Sequence, residues 1–244
     1  MTDGVHLYAA SLSGVADRAW ATRLAPHVSR AMIGGIAIDT QTRAAAGELH
    51  DRGRAEFLPT DPIGWVTRMT RAPRAVPMGV NIRACDPTAV SALGEAIDTS
   101  RVWVELNAHC RQPEMCAAGA GEHLLHAPEE LAALVRAGVA AGATVGVKVR
   151  AEVDGVDLRT VARLVETVGG AFIHVDAMDD PAAVGRIASA TGMRVIANNG
   201  IRTAEDIGRA VAAGATAVSV GRPSTDPDAM RQIAQAASMA LVHP

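Results

Sequence analysis

The chain has 244 residues, 49% of them hydrophobic and only 2% aromatic, with a formal net charge of −3. That length suits one barrel or other α/β domain as well as two average domains, and its core must be built from Val, Ile, Leu, Ala and Met. Acidic and basic residues are interspersed, which excludes a basic block of the kind that follows a nucleic-acid backbone.

The N-terminal MTDGVHLYAA has no basic segment ahead of a long apolar run, so no secretion signal is expected. Arg136 and Lys148 interrupt the longest apolar stretches, so no membrane span is expected either. Three cysteines, an odd number, argue against a disulfide framework and for a reducing cytoplasm.

In chain order, short Val- and Ile-rich runs alternate with Ala-rich stretches of helical period, the pattern of repeated strand-helix units around a parallel sheet. Eight strands are expected: 5–10 (VHLYAA), 31–38 (AMIGGIAI), 76–82 (VPMGVNI), 102–107 (VWVELN), 144–150 (TVGVKVR), 171–177 (AFIHVDA), 194–199 (RVIANN) and 217–221 (AVSVG). Helical segments between them include 127–142, 157–169 and 203–214. Thr203 precedes Asp206 at capping-box spacing, and Asp86 precedes a proline suited to the first helical position. Gly142, Gly169 and Gly214 are placed to end helices. The connection from about 39 to 75 is too long for a simple crossover and is expected to carry extra helices. Eight such units predict a single-domain (β/α)8 TIM barrel over residues 1–244, with this insertion. An open doubly wound sheet would more often show a Gly-rich fingerprint after its first strand, and SLSGVAD is not one.

Alternation along the fifth strand turns Val145, Val147 and Val149 toward the helices and Gly146, Lys148 and Arg150 inward. The same parity turns Asn81 and Arg83, Glu105 and Asn107, and His174 and Asp176 inward. All cluster near the C-terminal ends of their strands, the rim on which barrels of this class build active sites. Lys148 is the only lysine among 23 basic residues. In a chain biased toward arginine, either this position needs an amine or the lysine survives by chance.

Gly200 and Gly221 directly follow the seventh and eighth strands, with a capped helix start behind the first. Glycine N–H groups, a helix N-terminus and Arg222 together predict a phosphate site. Cys110 lies just past the fourth strand, where a thiol can serve as nucleophile, proton donor or metal ligand. His109, Cys110 and Cys116 fit no common zinc spacing and lack a fourth ligand, so no metal is expected. Cys85 and Cys116 read as small packing residues.

Taken in order, these pieces resemble the tRNA-dihydrouridine synthase family. VELNAHCRQPEMCAAGAGEHLL is similar to its segment from a strand-end asparagine through a cysteine to Gly-Ala-Gly and a leucine pair. VKVR resembles its strand-five Lys-x-Arg, FIHVDA its strand-six histidine, and VIANNGI with VSVGRPS its flavin phosphate site. The match spans residues 100–225, with a fainter one at YAASLSGVADRAW. The resemblance implies a barrel that binds FMN, takes electrons from NAD(P)H and reduces a uracil-like ring, with hydride going to C6 and a proton to C5. It implies Cys110 as the proton donor and Lys148 beside the flavin ring, offsetting the charge of its reduced form. Asn81 and His174 would contact the cofactor, Asn198, Asn199, Gly200, Gly221 and Arg222 would surround its phosphate, and Asn107 and Arg150 would face the substrate.

The chain departs from the family at His109 and Arg111, where glycine and proline usually flank the cysteine, and at Asn81, where glutamine is usual. It ends about twenty residues after the phosphate site, room for one final helix rather than the family's tRNA-gripping domain. Both tRNA and a smaller unsaturated ring stand as expected substrates. Two other readings fit the same residues: a Schiff-base aldolase using Lys148 beside a phosphate site, and a flavin-binding barrel without catalysis.

Overall fold

Strands rich in β-branched residues need cover on both faces, and a closed parallel barrel wrapped in helices supplies it without leaving edges. The computed structural model describes residues 5–71, 75–177 and 180–240. In it, eight parallel strands close in sequence order into a (β/α)8 TIM barrel, as expected. They are β1 (His6–Ala9), β2 (Arg30–Ala37), β3 (Met78–Arg83), β4 (Val102–Ala108), β5 (Thr144–Arg150), β6 (Phe172–Asp176), β7 (Arg194–Asn198) and β8 (Ala217–Val220). The helices are α1 (Arg18–Leu24), α2 (Thr40–Asp51), α3 (Pro62–Arg71), α4 (Pro87–Ala96), α5 (Pro113–Ala117), α6 (His123–His126), α7 (Pro128–Ala140), α8 (Leu158–Thr167), α9 (Ala182–Ala188), α10 (Ala204–Ala212) and α11 (Pro227–Ala240). The long connection holds α2 and α3; its residues 72–74, like the chain ends 1–4 and 241–244, lie outside the described residues. Among the described residues no helix is long and apolar enough to cross a membrane.

Local signals set the helix ends. Asp86 caps α4 ahead of Pro87, and Gly142, Gly169 and Gly214 take left-handed backbone just past α7, α8 and α10. Asp39 does more than cap α2. Besides accepting from Thr42 N and Oγ, its carboxylate takes the N–H groups of Cys85 (2.7 Å) and Asp86 (3.2 Å), tying the turn after β2 to the turn after β3.

Val145, Val147 and Val149 are 0% exposed and join the core between barrel and helices, each burial contributing about 1.5–3 kcal/mol. The barrel interior starts with a separate plug at the strand beginnings, where Tyr8, Met32, Phe172, Ile196 and Ala217 pack with Trp103. Trp103 stacks on Phe172 with centroids 4.9 Å apart, and the Arg30 guanidinium lies 3.6 Å over the Trp103 ring, a cation–π contact of about 0.5–2 kcal/mol. Gly146 makes room for the plug, since a Cβ there would come within 2.3 Å of the Phe172 ring. In β2 the pairing with β3 shifts between Gly34 and Ile36, and both Gly34 and Gly35 have positive φ. A Cβ on Gly35 would sit 2.5 Å from Ser13 Oγ, so this bulge lets the loop after β1 reach the barrel mouth. With the bottom filled, the open interior lies toward the C-terminal ends of the strands.

Candidate functional site

Directly above the plug, inward side chains of five strands form one hydrogen-bonded network. Asn198 Nδ2 donates to Ser219 Oγ (2.9 Å), and the distances from His174 Nε2 to Ser219 Oγ (2.6 Å) and from Nδ1 to Glu105 Oε2 (2.7 Å) complete that branch. On the other side Asn107 Nδ2 donates to Asn81 Oδ1 (2.9 Å), and Asn81 Nδ2 donates to Glu105 Oε1 (2.7 Å). Both branches end on Glu105. An ionised carboxylate only accepts, so it orients every bond: His174 donates from Nδ1, and the Ser219 hydroxyl donates to Nε2. Burial alone would raise the Glu105 pKa, but His174, Lys148 and Asn81 hold it below the ordinary carboxylate value. Burial pushes His174 below the ordinary imidazole value against the pull of Glu105, with Lys148 adding to the effect, so the ring is neutral at pH 7.

Lys148 stands in this layer between its register neighbours Asn107 and His174. It is 5% exposed and forms no hydrogen bond or ion pair with any described residue. Glu105 attracts it across the layer, but no acceptor touches it, and burying an ion without a contact partner costs several kcal/mol, on the order of the effective desolvation penalty, so this ammonium is poised for an anionic group above it.

Above lies a cleft of about 1280 Å³. Among the described residues, seven arginines and lysines line it against one carboxylate, Asp176, although the whole chain is net negative. Two of the seven are paired: Arg83 with Glu56 (2.6 Å) and Arg150 with Glu122 (3.4 Å). Arg83 also donates to Ser13 Oγ (2.5 Å). Arg54, Arg111, Lys148, Arg202 and Arg222 have no acidic partner among the described residues. The field in the cleft therefore favours anions.

Asn198, Asn199, Gly200, Gly221 and Arg222 line one wall, after β7 and β8. Asn199 and Gly200 both have left-handed backbone (φ 76° and 69°), and a Cβ on Gly200 would meet nothing within 4 Å, so that wall is open. The helix behind it is capped by its own side chains. Thr203 and Asp206 form the expected capping box, and Asp206 Oδ2 takes the N–H groups of Arg202 (3.0 Å) and Thr203 (2.8 Å). A carboxylate therefore stands beside the helix N-terminus expected to receive a phosphate, and the N–H groups it takes precede the helix's first turn. Backbone at Gly200 and Gly221 and the side chains of Arg202 and Arg222 remain for an anion.

At the end of β4, Asn107 Oδ1 accepts the N–H groups of His109 (3.1 Å) and Cys110 (2.9 Å), which curls the chain inward. Cys110 O accepts from Glu122 N (2.8 Å), and the close approach requires Gly121: at φ 64°, a Cβ there would sit 2.2 Å from that oxygen. Cys110 is half-buried and lines the cleft while packing on the apolar group of Ala37, Met115 and Ala120. His109 reaches over the end of β5, with Nε2 2.5 Å from Asp176 Oδ2 on β6. Burial pushes the Cys85 thiol up to about 12, with Asp39 adding to it, and burial also raises Cys116. Both thiols stay protonated.

Of the residues expected at the site, Asn107, Cys110, Lys148, Arg150, Asn198, Asn199, Gly200, Gly221 and Arg222 line this single cleft. Asn81 and His174 do not. Both are 0% exposed beneath its floor and bonded to Glu105, where they support the cleft from below. Ser219 joins the network as well, and the alternation in VSVG carries the signal for it. Glu56, Ser13 and Arg54 reach the site from loops whose path no periodicity encodes.

No protein-family model matches the chain, and no curated protein matches it. Solved structures are similar to it in fold. DHODH from Eimeria tenella, in complex with ferulenol, aligns at 14% identity over 98% of this chain and 85% of that one, with a TM-score of 0.67. The 3-hexulose-6-phosphate synthase of Salmonella typhimurium aligns at 14% identity over 98% and 100%, TM-score 0.61. A FabK mutant from Thermotoga maritima aligns at 18% identity over 89% and 61%, TM-score 0.54. Identities this low show the fold alone, and the fold they share with this chain is the TIM barrel.

Proposed function

We propose that this barrel is an FMN-dependent oxidoreductase that uses NAD(P)H and acts on an unsaturated, uracil-like ring carried by an anionic substrate. The observation that carries the reading is Lys148: a buried ammonium, without a partner among the described residues, facing a cationic cleft. A reduced flavin is anionic at its pyrimidine ring, and a fixed positive charge there favours that form. The residues present fit the cofactor. Lys148 would neighbour the ring, Arg202 and Arg222 with the backbone at Gly200 and Gly221 would hold its phosphate, and Asn198 and Asn199 would line the connecting wall. When bound, FMN supplies hydride to the ring. The chain's own residues do the rest: the Glu105 network keeps Asn107 in place beside Lys148, Asn107 and Arg150 face the substrate, and the loop after β4, where the resemblance implies Cys110, supplies the proton. The unpaired arginines suit a phosphate-bearing substrate, whether tRNA or a small molecule.

The test is the absorbance spectrum of the purified protein, expected to show oxidised flavin near about 450 nm, with FMN identified by mass after heat release. A colourless protein whose Lys148 is trapped on a carbonyl substrate by borohydride overturns the reading in favour of a Schiff-base aldolase.

A further inference from the structure

We propose that His109, oriented by Asp176, is the residue that exchanges a proton with the ligand bound in the cleft. The reaction it serves rests on the oxidoreductase reading above; its geometry does not.

The backbone of His109 is fixed by Asn107 Oδ1, and its ring crosses from β4 to β6, where Nε2 lies 2.5 Å from Asp176 Oδ2. A carboxylate accepts, so Nε2 carries the proton and Nδ1 presents a lone pair. Nδ1 has no hydrogen-bond partner among the described residues, and the ring is 29% exposed in the same cleft as Lys148. One nitrogen held by an orienting carboxylate and the other open to a ligand is the arrangement an acid-base histidine needs.

The neighbouring thiol is placed less well for this task. Cys110 packs on Ala37, Met115 and Ala120, an apolar surface that offers no group to activate it, whereas His109 lines the cleft with Nε2 on Asp176. The charges facing His109 are Lys148 and Arg150 from β5 and Asp176 from β6. Burial lowers its pKa most, Lys148 and Arg150 lower it further, and Asp176 opposes them, so that the ring is neutral at pH 7 and titrates below the ordinary imidazole value.

In the reducing direction, the protonated fraction of the ring would give its Nδ1 proton to one carbon of the substrate double bond, whose π pair forms that C–H bond, and the adjacent carbon would take the hydride a bound reduced flavin supplies; solvent then reprotonates the ring. In reverse, neutral Nδ1 would take the C–H proton, and the hydride from the adjacent carbon would go to oxidised flavin.

Long-range ¹H–¹⁵N spectra of the full chain, with His109→Gln to identify the signals, read the tautomer and titration of this ring directly. We expect an Nε2–H tautomer with a midpoint below about 6.5, and loss of that preference in Asp176→Asn. With uridine and NADPH as probes, His109→Gln should lower turnover by about 100-fold or more, a larger loss than Cys110→Ala causes, while NADPH still reduces the bound flavin. An Nδ1–H tautomer, or a smaller loss in His109→Gln than in Cys110→Ala, overturns the proposal. A protein without flavin sinks the oxidoreductase reading alone, and the tautomer still decides His109.

Discussion

Replacing Glu105 with Gln probes whether one buried carboxylate organises the site. Glu105 is 0% exposed and accepts two bonds of 2.7 Å, from Asn81 and from His174. Gln keeps the shape but turns one acceptor into a donor, so one partner then meets an NH₂ group. His174 can adapt only by moving its proton to Nε2, which deprives the Ser219 hydroxyl of its acceptor while Asn198 still donates to it. Either way a buried donor is left unmatched, at about 1–3 kcal/mol. Lys148 also loses the carboxylate with which it interacts across the layer, and breaking a buried charge set costs up to about 3–5 kcal/mol. Allowing for partial relaxation, a loss of about 2–4 kcal/mol is expected. With about 2.1 cal/mol/K of unfolding entropy per residue, each kcal/mol shifts the melting temperature of a chain this long by about 2 °C. Thermal unfolding of flavin-free protein followed by circular dichroism should therefore fall by about 4–8 °C. Adding Lys148→Met should recover at least about 1 kcal/mol, because the orphaned ammonium is gone. Melting of Glu105→Gln within about 1 °C of the parent, with no coupling to Lys148, would show that this carboxylate is not the anion that orders the layer.

Lys148→Met alone should weaken FMN binding by about 10- to 100-fold, the equivalent of about 1.5–3 kcal/mol for a charge-assisted contact; equilibrium titration checks this, and undiminished affinity contradicts it. The pH dependence of stability follows from two depressed pKa values. Above about 6.5 the neutral His174 keeps its full contribution, and as pH falls from there to its lowered folded value the unfolded chain binds a proton that the native ring resists. Stability should then drop by up to about 1.4 kcal/mol per pH unit, and Glu105 adds a second loss as pH falls from the ordinary carboxylate value to its own lowered one; urea midpoints that stay flat between pH 7 and 5 refute the assignment. Arg83→Met leaves the Glu56 carboxylate, 1% exposed, without its cation, and should cost about 3–5 kcal/mol in urea unfolding. Most of that loss should return in the double variant with Glu56→Leu, and a single variant as stable as the parent speaks against a buried pair. Gly121→Ala forces a Cβ against Cys110 O at a left-handed backbone position, so about 1–3 kcal/mol of destabilisation should accompany an altered rate of Cys110 modification by a thiol reagent.

Much of the site was legible along the chain because the signals involved are short-ranged. Parity in TVGVKVR, ELN and FIHVD placed Lys148, Arg150, Glu105, Asn107, His174 and Asp176 inside the barrel, and their strands carry them there. Parity says which face a side chain takes but not what it meets. Asn81 and His174 share that face with Lys148, yet the cross-strand bonds to Glu105 draw both under the floor, and the bond joining Glu105 to His174 spans 69 residues of sequence.

Strand-helix alternation, caps and turn glycines were sufficient to specify the barrel, since period, capping and left-handed turns act within a few residues of where they are written. The hydrogen-bond direction that ends on Glu105, the positive cleft in a negative chain and the reach of His109 to Asp176 arise only when the ring closes. Each depends on which distant side chains come within a few ångströms of one another, and barrel closure, not local sequence, sets those distances.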